Sequence, residues 1–378
     1  MSAYTRSTFA RTDRRIVAQW WWTVDRWTIL AILALIAFGS LMVMAASPAV
    51  AVRIGADNLH FIKRYFAVLP VALAVMFAVS LLSPRAIRLL AFAGLAIGLV
   101  LLAYTLINGV DIKGARRWIE LPGESIQPSE FVKPCFAVVS AWLFAQSKQR
   151  PGFPGNWIAI GLYVLIVGLL IKQPDLGMTA VVSVVWFTQF FLAGLSLVWV
   201  VALMGAGVAG LAGAYMLLPH VATRINGFID PQSGDSYQVD RSIDAFMNGG
   251  LWGRGPGEGT VKLSLPDAHA DFVFAVAGEE LGLIVCLVIV ALFAFVVLRG
   301  FSRLLQENNF YVVLAATGLL VQFGLQAIIN MASTLHLMPT KGMTLPFISY
   351  GGSSLLALGL GVGMILALTR RRFGDGDE

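Results

Sequence analysis

Residues 272–298 read FVFAVAGEELGLIVCLVIVALFAFVVL, an apolar run in which only Glu279 and Glu280 carry charge. A helix needs about 20 apolar residues to cross the hydrocarbon core of a bilayer, so this run predicts a membrane span. Working outward, nine further runs qualify or nearly do: 27–46, 61–82, 89–107, 131–145, 157–171, 176–195, 197–218, 310–332 and 345–369. The runs at 131–145 and 157–171 are short and must borrow flanking residues. The last contains Gly351-Gly352-Ser353-Ser354, which predicts a broken or re-entrant start. The expected fold class is therefore all-α: a polytopic membrane protein of about ten transmembrane helices, with a large extracytoplasmic loop, 219–271, between helices 7 and 8.

Composition supports this. The 378 residues are 58% hydrophobic and 13% charged, about half the charge of an ordinary globular chain. That excludes a soluble enzyme, a disordered chain and a fibrous protein. The formal charge of +6 is no nucleic-acid footprint, because Lys and Arg cluster at the ends of apolar runs, as membrane topology requires. Cys135 and Cys286 lie inside apolar runs and read as small core residues. No cleavable signal peptide is expected ahead of the first run near Trp27. With the N-terminus inside, 14 of the 27 basic residues fall on the cytoplasmic side. Many of the rest sit in longer loops that translocate regardless of charge. The expected organisation is a cytoplasmic tail at 1–26, a membrane domain at 27–369 and a second cytoplasmic tail at 370–378.

Ionisable groups near membrane depth are functional candidates. Asp271 closes the long loop where an uninterrupted apolar helix begins, so it is either a partly desolvated base or an N-cap. Glu279 and Glu280, two turns further in, read as partners for an Arg or Lys on a neighbouring helix. Arg116, Arg117 and Trp118 suit either a phosphate or carboxylate contact or an interfacial anchor. Glu130 and Lys133, at i,i+3, suit an ion pair. Val239, Ile243, Phe246 and Met247 recur at helical spacing, as in a helix lying on the membrane surface. Gly253, Gly255, Gly257 and Gly259 lack the preceding strand of a nucleotide loop and read as a bendable loop. Lys341 could meet a lipid headgroup or neutralise a carboxylate.

Several strings, taken together, resemble the SEDS family (shape, elongation, division and sporulation proteins). They are Lys113-Gly114-Ala115-Arg116-Arg117-Trp118-Ile119, Gln127-Pro128-Ser129-Glu130 with Lys133, and Gln173-Pro174-Asp175-Leu176-Gly177. Further on come Tyr237-Gln238, residues 265–272 (LPDAHADF), Glu279-Glu280-Leu281-Gly282, Pro339-Thr340-Lys341-Gly342, and residues 345–354 (LPFISYGGSS). Lys341 within Pro-Thr-Lys-Gly resembles the division branch, since the elongation branch usually lacks that Lys. Ala270 replaces a usual Thr and Asp267 a frequent Glu.

The resemblance implies ten spans and an inverting peptidoglycan glycosyltransferase that polymerises lipid II at the outer face of the cytoplasmic membrane during septal wall synthesis. The family's essential Asp maps to Asp271. Substrate contacts are expected from Arg116, Arg117, Lys341, Gln173, Glu130, Lys133, His269 and Ser353, with Glu279, Glu280, Trp118 and Asp175 in supporting positions. No metal ligands are singled out and no cofactor is certain; a divalent cation, Mg or Mn, is the one candidate. Expected partners are lipid II and the nascent glycan strand, a class B penicillin-binding protein (an FtsI-type transpeptidase) and other division membrane proteins, with no nucleic acid. The expected location is the bacterial inner membrane at the septum, multi-pass, with both termini cytoplasmic. Two rival functions are a lipid II flippase and a non-catalytic scaffold that recruits the transpeptidase.

Overall fold

The computed structural model describes residues 16–112, 115–121, 124–217, 219–229, 237–339 and 342–370. Among them, each of the ten apolar runs carries a helix of 17 to 32 residues. In chain order, α1 (Ile16–Thr23) precedes α2 (Arg26–Arg53), α3 (His60–Ser80) and α4 (Pro84–Asn108). After a small sheet come α5 (Pro128–Gln149), α6 (Gly155–Lys172), α7 (Leu176–Leu192) and α8 (Leu197–Leu217). The long loop holds α9 (Pro219–Ile229) and α10 (Tyr237–Gly249), and α11 (Val273–Leu304), α12 (Phe310–Thr334) and α13 (Gly352–Leu368) complete the chain. Six of these, α2, α3, α4, α6, α11 and α12, are long and apolar enough to cross a membrane. The short runs borrow their flanks as expected: α5 starts at Pro128, suited to a first turn that needs no N–H partner.

Local chemistry sets the ends. Ser83 caps α4 by accepting from Ala86 N, with Pro84 at the first position. Asp175 caps α7 through Met178 N, and Asn309 caps α12 through Val312 N. The segment 108–127 holds what a purely helical reading leaves out, a three-stranded antiparallel sheet of β1 (Val110–Ile112), β2 (Ala115–Leu121) and β3 (Glu124–Ile126). The segment ahead of the first span also contains α1, whose Trp20 indole donates to Ser80 Oγ at 2.9 Å.

α12 is the axis of the bundle and the most enclosed candidate span, packing against α5, α7, α11 and α13. Near its N-terminal end Gln189 of α7, fully buried, donates to Ala137 O (2.7 Å) and Leu314 O (3.1 Å) and accepts from Ser140 Oγ (2.6 Å). Such amides act as glue between membrane helices, where apolar contact alone cannot tell helix from lipid. At the opposite end of α11 from the long loop, Asp25 accepts from Arg299 Nε (2.8 Å) and lies 3.1 Å from Arg303, joining the start of α2 to the end of α11.

Two expectations need correcting. The eighth run is not one uninterrupted helix: Gly282 (φ 80°, ψ 174°) breaks α11. Leu283 and Ile284 N–H donate instead to Gly250 O (3.0 Å) and Leu251 O (3.3 Å), while Arg254 and Gly255 N–H donate to Glu279 O and Glu280 O, both 2.9 Å. The glycine-rich stretch is therefore a plug hydrogen-bonded into the break rather than a bendable loop. Nor does α10 simply rest on a membrane surface. Val239, Ser242, Ala245 and Gly249 are buried, with α11 the element most closely packed against this helix, whereas Ile243 and Met247 point outward.

Gly249 meets α11 so closely that a Cβ there would lie 2.0 Å from Gly278 O, whereas one at Gly207 in α8 would meet nothing within 4 Å. Gly249→Val should therefore cost about 1–3 kcal/mol through overpacking, and Gly207→Ala should cost little. Thermal unfolding of the two purified variants in detergent checks the difference.

Candidate functional site

The site forms where two non-helical segments meet at one end of α12. The first is the turn before α11. Its backbone is wound on Asp267, whose carbonyl accepts from Ala270 N (3.0 Å) and Asp271 N (3.1 Å). The second is 342–351, the non-helical approach to α13, which fulfils the expectation of a broken tenth run. The segments are laced together. Tyr350 N donates to His269 O at 2.9 Å, and Ser349 Oγ donates to Ala270 O at 2.6 Å while accepting from Leu345 N. Asn330 of α12 uses its single Nδ2 twice, donating to Asp271 O (2.9 Å) and Met343 O (2.6 Å).

Asp271 is partly exposed. It does not cap α11: the N-cap is Phe272, with no side-chain cap bond. The carboxylate faces Gly342, where an added Cβ would lie 3.1 Å from Oδ2. Lys341, the residue before it, lies outside the described residues. His269 is buried between Phe61 (4.5 Å) and Tyr350 (5.1 Å). Burial pushes its pKa down to about 4, only partly opposed by the charge of Asp267, so its imidazole is neutral at physiological pH. Ser353 is buried in the first turn of α13.

A second layer lies behind. Glu130 and Lys133 form a 2.9 Å ion pair, both nearly sealed from solvent. Lys133 Nζ donates to Gln326 Oε1 (3.2 Å), and Gln326 Nε2 donates to Thr344 O (3.1 Å). Thr344 Oγ1 in turn lies 2.7 Å from Ser354 Oγ. A cavity of about 20 Å³, room for a single water, opens beside Glu130, Gln322 and Gln326.

The Arg pair is divided. Neighbouring residues on a strand face opposite ways, and β2 leaves Arg116 half exposed, 3.7 Å from Asp111. Arg117 instead donates to Gln173 O (3.1 Å) and Pro174 O and lies 3.7 Å from Asp175. Gln173 donates to Leu102 O (3.1 Å) and to Thr105 Oγ1, and Gln127 donates to Asp175 at 3.3 Å. Arg117, Gln173 and Asp175 thus pin the sheet to the α6–α7 corner, with Trp118 partly buried on the same strand.

The expected pairing forms only in part: Glu280 does meet a Lys, Lys262, but from the short loop turn Val261–Leu263 rather than from a neighbouring membrane helix, while Glu279 is bound by backbone N–H groups. Glu279 accepts from Thr260 N (2.9 Å) and Val261 N (3.0 Å), and Glu280 accepts from Gly257 N (2.9 Å) and Lys262 Nζ (2.6 Å). Both carboxylates hold the long loop against α11. Among the described residues, no group of three His, Cys, Asp or Glu side chains gathers to hold a metal ion. The residues that sequence reasoning missed are Gln326, Asn330, Thr344 and Ser349. The visible signal for Gln326 and Asn330 was the four-residue spacing of Gln322, Gln326, Asn330 and Thr334 in an apolar run; Thr344 and Ser349 carried none.

This arrangement has relatives. A Caulobacter vibrioides protein named probable peptidoglycan glycosyltransferase FtsW is 45% identical, with 99% of this chain and 96% of that protein covered. A Coxiella burnetii protein of the same name is 36% identical over 92% of this chain and 96% of that one. Among solved structures, a chain of a peptidoglycan synthase complex described as coordinating polymerization and crosslinking superposes with a TM-score of 0.76 at 27% identity, covering 92% of this chain and 97% of that one. The rod shape determining protein RodA of Thermus thermophilus superposes with a TM-score of 0.70, also at 27% identity, over 94% of this chain and 99% of that one. The FtsW/RodA/SpoVE profile, described as cell cycle protein, matches residues 26–373. On this evidence the chain is a multi-pass membrane protein that belongs to the FtsW/RodA/SpoVE family of cell cycle proteins.

Proposed function

We propose that this chain is a peptidoglycan glycosyltransferase that polymerises lipid II at the outer face of the cytoplasmic membrane, with Asp271 as its general base. The observation that carries this reading is the state of Asp271: a partly exposed carboxylate that does not cap α11, faces Gly342, and has its own carbonyl tied through the Asn330 amide to Met343. Relatives that carry the activity in their names support the reaction class.

In this mechanism the acceptor sugar's 4-hydroxyl attacks the anomeric carbon of the growing chain's reducing end, with inversion. Asp271 takes the hydroxyl proton as the C–O bond forms, and the lipid diphosphate leaves with the electron pair of the broken bond. One base is enough, because a diphosphate leaves without a general acid when its charge is stabilised. Arg116, exposed on the sheet, and Lys341, next to Gly342 in sequence, are the cations assigned to that charge. His269, buried and neutral between Phe61 and Tyr350, supports the turn that carries Asp271 rather than touching the sugar. Glu130, Lys133 and Ser353 are too enclosed to meet a sugar directly and act as the floor beneath the site, while Gln173 acts at a distance by anchoring the sheet that carries Arg116.

The flippase reading would need a polar passage through the bundle. Among the described residues, Glu130, Lys133 and Gln326 are paired with each other rather than left lining an open path, which favours chemistry at one face. For the partner, we place a class B penicillin-binding protein against the outward apolar helix faces, together with other division membrane proteins. We place the chain at the septum, with 1–26 and 370–378 in the cytoplasm, so that the Asp25–Arg299–Arg303 cluster lies on the inner side.

Purified protein given labelled lipid II, with and without the transpeptidase, tests the assignment. Glycan product supports it, leaflet exchange alone would support a flippase, and neither would leave a scaffold. Asp271→Asn should fold and bind its partner yet lose about 10²–10⁴ in polymerisation rate; near-parental synthesis by the folded variant would refute the base. If the guanidinium grips phosphate bidentately, Arg116→Lys and Arg116→Ala should both lower the polymerisation rate while leaving the melting temperature close to parental, which parallel rate and melting measurements would show.

His269 makes the fold less stable as pH falls. Its folded pKa of about 4 lies below the unfolded value of 6.5, so the unfolded chain binds the proton first as pH falls. The stability it contributes is full above about pH 6.5 and is lost towards pH 4, by about 3 kcal/mol at most. His269→Phe should flatten that part of the melting-temperature profile between pH 4 and 6.5.

A further inference from the structure

α12 runs behind the site and carries Gln322, Gln326, Asn330 and Thr334 at four-residue intervals, which places them on one face of the helix. All four are buried, Asn330 and Thr334 completely. Polar side chains kept inside a membrane helix pack inward and hold something, and Asn330 holds two things. One Nδ2 hydrogen goes to Asp271 O (2.9 Å) and the other to Met343 O (2.6 Å). Its Oδ1 has no hydrogen-bond partner among the described residues, so the amide is oriented by those two carbonyls and by packing. The carbonyls belong to different non-helical segments, one bearing the Asp271 carboxylate and the other the Gly342 backbone against which that carboxylate lies.

We propose that Asn330 is a positioning residue for glycosyl transfer: one buried amide fixes the distance between the Asp271 segment and the 342–343 segment, and thereby where the carboxylate stands. The inference rests on the reading of Asp271 as the base. Asn330 itself, with no exposed surface, touches no substrate. Displacement of a reacting group by about 1 Å from a remote change costs about 10²-fold in rate, and that is the scale of effect expected here.

The test uses the full-length protein with its transpeptidase partner and labelled lipid II. Asn330→Leu keeps much of the volume and removes both donors; Asn330→Ser keeps one. The folded fraction is measured by monodispersity and thermal unfolding, and kcat is expressed per folded molecule. The expected result is a fall in kcat of about 10²-fold in the Leu variant, a smaller fall in the Ser variant, and little change in KM. In an Asp271→Asn background, Asn330→Leu should cost nothing further, because it acts through the group already lost. Parental kcat per folded molecule in the Leu variant would overturn the proposal, as would a rise in KM alone, or failure of both variants to fold, which would mark Asn330 as purely structural. Should Asp271→Asn polymerise normally, the base reading itself fails, which is a separate result from a silent Asn330→Leu beside an inactive Asp271→Asn.

Discussion

A lipid bilayer offers no hydrogen bond, so every backbone group that leaves a helix at membrane depth must find its partner inside the protein. This structure depends on that constraint wherever it departs from simple helices. The break at Gly282 survives because a loop returns to supply two carbonyls and two N–H groups to the frayed turns. The non-helical approach to α13 survives because Ser349, Tyr350, Asn330 and Gln326 bind the groups around it. The site is assembled from these irregular segments, because only where the helix stops can a side chain such as Asp271 be presented without capping or packing a regular turn.

Buried charge follows the same logic. Glu279 is satisfied by backbone N–H groups and Glu280 by a backbone N–H and the ammonium of Lys262. Removing one member of such a pair strands a charge out of water, which costs far more than the pair itself contributes. The loop is therefore fastened to α11 through side chains and backbone at once, and the segment that carries Asp271 inherits that rigidity.

Much of this was legible in the sequence, and what was not has physical reasons. The ten apolar runs, the short fourth and fifth and the broken tenth follow from hydropathy and from Gly351-Gly352. Asp271 stood out because charge at a span boundary is costly. The break at Gly282 was hidden, since glycine is common in membrane helices and the partner carbonyls lie some thirty residues earlier. Lys262 could not be assigned to Glu280 because loop register is set by tertiary contacts. The amides of α12 were overlooked because neutral polar groups are tolerated in spans and only their partners reveal their use. The sheet at 110–126 was within reach, as alternating side chains on either side of Pro122-Gly123 are the mark of a hairpin.

The plug in α11 also makes the long loop an unusual kind of loop in time. Amide protons exchange with solvent only when their hydrogen bonds open, and surface loops ordinarily exchange near the unprotected limit. Here the Arg254 and Gly255 amides are bonded to helix carbonyls while the Leu283 and Ile284 amides depend on loop carbonyls. These four cannot open independently. In deuterated water they would exchange as one cooperative unit, slow on both sides of the break, so that a loop by sequence keeps the clock of a helix.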